Sequence, residues 1–291
     1  MSLPLTTRAR AKVNLDLRVL ARREDGYHEL ESLVAFAGIG DELTLEPEAP
    51  LALSIAGPRA GGLGVADDNL VLRAARAFAD VWPGLRLGRF HLVKRLPVAS
   101  GIGGGSADAA AALRLIARLN GIAQTDPVLR ETAARIGADV PVCLDSRARL
   151  MAGIGERLGP ALRLPPLFAV LANPGVAVET AAVFRALGLA RGQKREASAA
   201  VAEPAPISAE ELLGTLVASG NDLAEPARRV APVIDEVLDG LSALPGCRLA
   251  RMSGSGATCF ALFEDCRASA EAARELARRR PDWWIKPTLL R

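Results

Sequence analysis

The sequence predicts an α+β chain arranged as two domains, and three observations carry that reading. Near the N-terminus, Ala11-Lys12-Val13-Asn14-Leu15-Asp16-Leu17-Arg18-Val19 alternates apolar and polar residues with period two, the mark of a half-buried strand. A run of glycines then separates a strand ending at Pro97 from an alanine-rich helix. Beyond residue 160 the pattern turns again into apolar strands and amphipathic helices. The length, 291 residues, fits two ordinary domains, and half of the residues are hydrophobic, which supplies a substantial core. Aromatics are only 4%, so that core is expected to be built mainly from Ala, Val, Leu and Ile.

The elements follow in order. Asp25-Gly26 is a turn signal, and Tyr27 to Phe36 resumes an extended pattern. Short strands fit Leu43 to Glu46 and Leu51 to Ala56, and Gly61 to Asp67 reads as a loop. A helix starts with Asp68 or Asn69 as cap. Leu85 to Leu96 reads as a strand that Pro97 ends. A helix from about Ser106 to Asn120 closes on Gly121, and Asp126-Pro127 opens another that stops at Gly137. In the second half, Leu167 to Ala172 is a continuous apolar strand and Glu179 to Leu187 a short helix. The segment 191–206, rich in charge, Ala and Pro, reads as a mobile loop. Ser208 and Glu211 form a capping-box signature. A helix near 228–240, strands at 247–252 and 257–263, a helix at 265–279 and a strand near 283–288 complete the chain. The domain boundary is expected at Gly153-Ile154-Gly155, dividing the chain into 1–155 and 156–291.

Composition also excludes. A net charge of +3 without a dense basic stripe gives no footprint for nucleic acid. Cys143, Cys247, Cys259 and Cys266 lack CxxC or His-paired spacing, so neither a disulfide framework nor a zinc site is expected, and a reducing cytoplasm is the expected setting. No apolar run reaches membrane-spanning length. The chain holds only four lysines, Lys12, Lys94, Lys194 and Lys286, against an excess of arginine, which makes each lysine worth following.

The strongest local signal is Pro97-Val98-Ala99-Ser100-Gly101-Ile102-Gly103-Gly104-Gly105-Ser106-Ala107-Asp108. Glycines let a backbone fold tightly and aim several N–H groups at one anion, and the following helix N-terminus adds its positive dipole end. The spacing fits neither a Walker A loop nor a dinucleotide fingerprint. The alternative is a plain strand–helix turn, but four glycines in five residues favour a phosphate site. Ser106 is expected as the helix cap, with a hydroxyl able to touch a phosphate or a magnesium ion, and Asp108 as an acid in the first turn.

This loop resembles the ATP-binding motif of the GHMP kinase superfamily, named for galacto-, homoserine, mevalonate and phosphomevalonate kinases. Arg251-Met252-Ser253-Gly254-Ser255-Gly256-Ala257 resembles the superfamily's C-terminal glycine motif, and Ala11-Lys12-Val13-Asn14-Leu15 its first motif. Asp25-Gly26-Tyr27-His28-Glu29-Leu30 and Gly137-Ala138-Asp139-Val140-Pro141 are similar to one branch in particular, whose acceptor carries a cytidine diphosphate on methylerythritol. Asn173-Pro174-Gly175-Val176 and Asn221-Asp222-Leu223 also fit, and the likeness runs from about residue 9 to about 262. Ala107 departs from the superfamily's frequent second serine, which removes a hydroxyl there but leaves the backbone cradle.

The resemblance implies a ribosomal S5 domain 2-like N-terminal domain, a ferredoxin-like C-terminal domain and an active site between them. It implies ATP and Mg2+ at the loop 97–107, with no metal ligand named beyond Ser106. It makes Asp139 the catalytic base, oriented by Lys12, and places Asn14, Tyr27, His28, Thr180 and Phe184 on the acceptor, the aromatic rings around cytosine. On the residues alone, Lys12, Asn14 and Asp16 make an ordinary solvated strand face, Asp139 a helix cap, and Tyr27 and His28 a core aromatic and a surface imidazole. His91 carries no motif and reads as structural. The expected activity is phosphorylation of the 2-hydroxyl of the acceptor. Its rivals are another superfamily kinase acting on homoserine or mevalonate, a decarboxylase of the same superfamily, and a non-catalytic nucleotide- or metabolite-binding regulator.

Overall fold

A computed structural model of the chain describes residues 3–61, 68–195 and 208–291. The loop expected at 61–67 and the segment expected as mobile at 191–206 fall mostly outside these described residues. The chain divides into two compact units made of interleaved segments. The first holds residues 1–12, 39–98 and 103–146, and the second 13–38, 99–102 and 147–291.

In the first unit β1 (Leu5–Asn14), β3 (His28–Pro47), β4 (Ala52–Ala56) and β5 (Gly88–Val93) make the sheet. β4 runs parallel to β5, which pairs antiparallel with the second half of β3. β1 also pairs with β3, and the approach is tight: a Cβ at Gly40 would stand 2.2 Å from the Ala9 carbonyl oxygen. Four helices complete the unit: α1 (Leu70–Val81), α2 (Gly104–Leu119), α3 (Pro127–Ile136) and α4 (Val140–Asp145). Asn69 caps α1 by accepting from the Val71 N–H, and Asp126 caps α3 with Pro127 in its first turn. The alanines of α2 let neighbouring helices approach, and Ala107 to Leu113 are buried without a break. Phe78, Phe90, Leu43, Leu45 and Leu113 fill the interior.

The second unit is built on its own antiparallel strands. β8 (Leu167–Asn173) lies between β10 (Cys259–Phe263) and β11 (Trp284–Leu290), with β9 (Leu249–Met252) beyond β10. β2 (Arg18–Arg22) and β6 (Arg149–Gly153) pair with the first half of β3, and β6 turns back into β7 (Arg157–Leu158). Its helices are α5 (Thr180–Leu187), α6 (Ala209–Ala218), α7 (Ala224–Val230), α8 (Val233–Ser242) and α9 (Cys266–Arg279). They close over a core that includes Val170, Ile234, Val237, Leu241, Phe263 and Leu276. The capping box at Ser208 and Glu211 is present at α6.

Five readings of the sequence change. The strand expected over 11–19 is divided between the end of β1 and the start of β2. The strands expected at 27–36 and 43–46 are one strand, β3, because no residue between them breaks the extended chain. The helix expected near 228–240 is two, since Pro232 cannot donate a backbone hydrogen bond and α8 starts after it. The strand expected from Leu85 begins only at Gly88. Gly153 and Gly155 serve the β6–β7 turn, with φ of 73° and 115°. No helix among the described residues is long and apolar enough to cross a membrane.

Candidate active site

The glycine-rich loop opens α2 two residues earlier than its serine suggests. Gly103 is the N-cap, in the left-handed region at φ 63°, and the helix starts at Gly104. Ser106 therefore lies inside the first turn and is not the cap; a glycine reaches that backbone conformation without steric cost. The Ala107 N–H donates to the Gly103 carbonyl at 2.8 Å and closes this turn. Ahead of it the helix N-terminus presents N–H groups that have no intrahelical acceptor, the arrangement an anion needs.

Beside this turn lies an ion pair. Lys12 Nζ donates to Asp139 Oδ2 at 2.8 Å, and the Cβ position of Gly103 is 3.8 Å from that same oxygen. The Lys12 side chain is 5% exposed and that of Asp139 32%, so the lysine is fixed while the carboxylate keeps an open side. Asp139 stands at the N-cap position of α4, yet its side chain makes no capping hydrogen bond. The helix-cap reading of Asp139 is thus replaced by the pairing with Lys12.

One turn into α2, Lys94 Nζ donates to Asp41 Oδ2 at 2.5 Å and Asp108 Oδ2 at 2.7 Å, all three residues being almost fully buried. Asp41 Oδ1 also accepts the Arg95 and Leu96 N–H groups at 2.5 and 2.8 Å. Asp108 Oδ1 is buried with no partner among the described residues. Burial pushes the Asp108 carboxyl up to about 7; Asp41 adds to the rise and Lys94 opposes it. For Lys94, the two carboxylates outweigh burial and the net shift is upward.

The second unit holds the other candidate residues. Gly101, at φ 75°, packs against the C-terminal glycine motif, where a Cβ would stand 2.5 Å from the Ser253 carbonyl oxygen. Ser253 Oγ donates to the Gly101 carbonyl at 3.1 Å and accepts the Asn14 N–H at 3.0 Å. The Ser100 carbonyl accepts the Thr258 N–H and the Ala99 carbonyl the Val178 N–H. Asn221 Nδ2 donates to the Met252 and Gly254 carbonyls at 2.8 Å each, and Arg251 donates to the carbonyls of Leu15, Leu216 and Ser219. Asn173 Nδ2 reaches Thr258 Oγ1 at 2.9 Å. These side chains brace the backbone of both glycine motifs.

Asn14 Nδ2 donates to Ser32 Oγ at 2.7 Å, while its Oδ1 is buried with no partner among the described residues. Asp16 accepts the Leu33 N–H at 2.6 Å, and burial raises its carboxyl above the ordinary range. Lys12, Asn14 and Asp16 are each under 5% exposed, which overturns the solvated-face reading. Asp16, Arg18, Glu31 and Ser32 line a cleft with β6 and β7, and Arg18 pairs with Glu31 there.

His28 stacks on Phe184 of α5, ring centroids 4.5 Å apart at 23°. Burial, and then the Arg22 charge, lower the imidazole below its usual range, so it is neutral at pH 7. Its Nε2 is buried with no partner among the described residues. Tyr27 is 60% exposed, which excludes the core-aromatic reading; the surface-imidazole reading of His28 gives way to this stacked one. Thr180 Oγ1 lies 2.8 Å from Ser255 Oγ. His91, on β5, is 2.6 Å from Ser54 Oγ through Nδ1 and remains apart from these groups. Lys94 and Asp41 had no functional reading in the sequence, where only the scarcity of lysine pointed at Lys94; Ser253 was visible only as a member of the C-terminal glycine motif.

Comparison with known proteins gives the family. A family model described as the GHMP kinases N terminal domain matches residues 69–147, and one described as GHMP kinases C terminal matches residues 199–282. The fold and the two glycine motifs thus define a kinase of the GHMP class. A 4-diphosphocytidyl-2-C-methyl-D-erythritol kinase of Methylobacterium radiotolerans is 60% identical over 288 residues, 99% of each chain. One of Azorhizobium caulinodans is 58% identical over 289 residues, again 99% of each. The crystal structure of a 4-(cytidine 5'-diphospho)-2C-methyl-D-erythritol kinase, 36% identical, superposes with a TM-score of 0.75 and covers 98% of this chain and 99% of its own. The chain belongs to the 4-diphosphocytidyl-2-C-methyl-D-erythritol kinase family of the GHMP kinases.

Proposed function

We propose that the protein transfers the γ-phosphoryl group of ATP to the 2-hydroxyl of 4-diphosphocytidyl-2-C-methyl-D-erythritol, giving ADP and the 2-phosphate, a step of non-mevalonate isoprenoid precursor synthesis. The observation that carries this reading is the Lys12–Asp139 pair beside Gly103, at the N-terminus of α2. It joins an acid–base group to an anion-binding turn, the two parts that phosphoryl transfer requires.

The roles follow from the chemistry. The loop 97–107 holds the nucleotide, its backbone N–H groups facing the phosphates. Asp139 takes the proton of the acceptor hydroxyl as that oxygen bonds to phosphorus and the bond to ADP breaks. Lys12 holds Asp139 in place and offers its ammonium to the negative charge that builds up on the transferring group. Among the described residues no three His, Cys, Asp or Glu side chains converge as a metal cage. Magnesium would therefore be held mainly by the nucleotide's phosphates, where it neutralises their charge, with Ser106 the one candidate protein contact.

Asn14, Tyr27, His28, Thr180 and Phe184 receive the acceptor. A neutral His28 with an unpartnered Nε2 suits the polar edge of cytosine, and Phe184 and the exposed Tyr27 ring supply aromatic faces. Asn14 Oδ1 offers an acceptor for a substrate hydroxyl.

The test is Asp139→Asn, which keeps the size of the side chain and removes its ability to take a proton. Turnover is expected to fall by ~10²-fold or more. ATP binding, read by titration calorimetry, should hardly change. Near-normal turnover would remove Asp139 from the chemistry.

A further inference from the structure

The glycine-rich loop has two stems, and one buried cluster ties both to the same strand. The stem entering the loop is Lys94-Arg95-Leu96, just after β5; the stem leaving it is the N-terminal part of α2, and Asp108, expected in the first turn, lies just beyond it. Asp41, on β3, accepts the Arg95 and Leu96 N–H groups on one oxygen and the Lys94 ammonium on the other. Lys94 in turn binds Asp108, on the leaving stem, and Lys94 Nζ lies 3.3 Å from the Cβ position of Gly104. Asp41 is 0% exposed, Lys94 2% and Asp108 3%.

Such an arrangement is expensive to bury. One ammonium faces two carboxyl groups in an almost fully buried setting, and Asp108 keeps an oxygen without a partner among the described residues. Apolar residues of similar volume often serve stability as well or better. What an ionic triad supplies that an apolar cluster does not is direction: each hydrogen bond fixes one backbone or side-chain atom against another.

The geometry points to Asp41, Lys94 and Asp108 as positioning residues that hold the nucleotide loop in its phosphate-binding shape before ATP arrives. This rests on the reading of the loop as the ATP site. A loop already ordered spends less of its binding free energy on losing conformational freedom, so affinity for nucleotide should depend on the cluster. Binding of the acceptor, whose proposed contacts are elsewhere, should not.

The experiment compares Asp108→Ala with Asp108→Asn. Asparagine keeps an oxygen that accepts from Lys94, whereas alanine releases the leaving stem. For D108A, KM and Kd for ATP are expected to rise by about tenfold or more with the acceptor KM unchanged, and D108N should restore ATP affinity to within about threefold of wild type. Equal losses for both substrates, or a lowered melting temperature with ATP affinity intact, would make the cluster a purely structural feature and overturn the inference. Should D108A not fold, hydrogen exchange on the ligand-free wild type decides. The Arg95, Leu96 and Ala107 amides, two of them held by Asp41 and the third closing the turn, are expected to exchange together in one slow class. Fast exchange at Ala107 with Arg95 and Leu96 protected would equally overturn the inference. A folded wild type that binds no ATP at all would overturn the loop reading itself, and this inference with it.

Discussion

Asn14 and His28 each hold a buried polar atom with no partner among the described residues, and a protein keeps such atoms at a cost of about 1–3 kcal/mol apiece. A ligand that supplies the missing hydrogen bonds recovers that cost on binding, which is why the proposed function assigns these two atoms to the acceptor. Asp108 is different, because its carboxyl is raised to about 7 chiefly by burial. A carboxyl raised in the folded state favours folding at pH values below its unfolded pKa, near 3.8, and that contribution is lost as pH rises through the folded value. The contribution of Asp108 to stability is therefore expected to decline between about pH 4 and pH 7, read from denaturant midpoints as the difference between wild type and variant. Asp108→Asn should flatten that segment of the curve. A wild-type curve that rises steadily from pH 4 to 7, unchanged in the variant, would show Asp108 to be ionised throughout.

At the scale of elements, the loop and the C-terminal glycine motif are complementary backbones. Gly101 has both a positive φ and a carbonyl 2.5 Å from where a side chain would begin. Gly101→Ala must therefore move backbone, not a flexible side chain. Its expected effect is ATP binding weakened by roughly tenfold or more, with a melting temperature lowered by several degrees. Calorimetric titration and a melting curve check both, and unchanged ATP affinity would mean that the two motifs are not held together for nucleotide. Gly104 is the milder position, since it lies in regular helix and its nearest neighbour is the tip of Lys94. The sequence made α1, α3, α6 and α9 legible because each begins with a side chain that caps it. It misled at α2, whose cap is a glycine backbone, and at β6, β7 and α4, which are too short to show a period. Where a position's meaning lies in backbone dihedrals, side-chain chemistry gives little sign of it.

For the whole molecule, the candidate site was legible to the extent that its residues sit in short contiguous motifs. Lys12, Asn14, Asp139, the loop and His28 were all visible in this way, and the structure adds the Lys12–Asp139 pair at 2.8 Å and the His28–Phe184 stack. The Asp41–Lys94–Asp108 cluster was not legible, because its members are separated by 53 and 14 positions and only Asp108 lies in a motif. The interleaving of the two units was hidden for the same reason: the chain changes unit at residues 13, 39, 99, 103 and 147, and composition does not change with it. Lys12 and Asp139 lie in the first unit, and the residues assigned to cytosine in the second.

The central claim is that a cytidine-bearing acceptor is chosen by groups remote from the reacting hydroxyl. Binding free energy from such a remote group aligns the reacting atoms, so removing it lowers turnover and not only affinity. The measurement is ADP release with the cytidine substrate, its uridine analogue, methylerythritol phosphate, homoserine and mevalonate, each at several concentrations. Turnover is expected with the cytidine substrate. The uridine analogue, which places a carbonyl where cytosine has an amine, should lose about 1–3 kcal/mol or more in kcat/KM. No detectable turnover is expected with the other three. Preferential phosphorylation of homoserine or mevalonate would contradict the acceptor while leaving a kinase, and failure with every acceptor despite tight ATP binding would contradict the enzyme and leave a nucleotide-binding regulator.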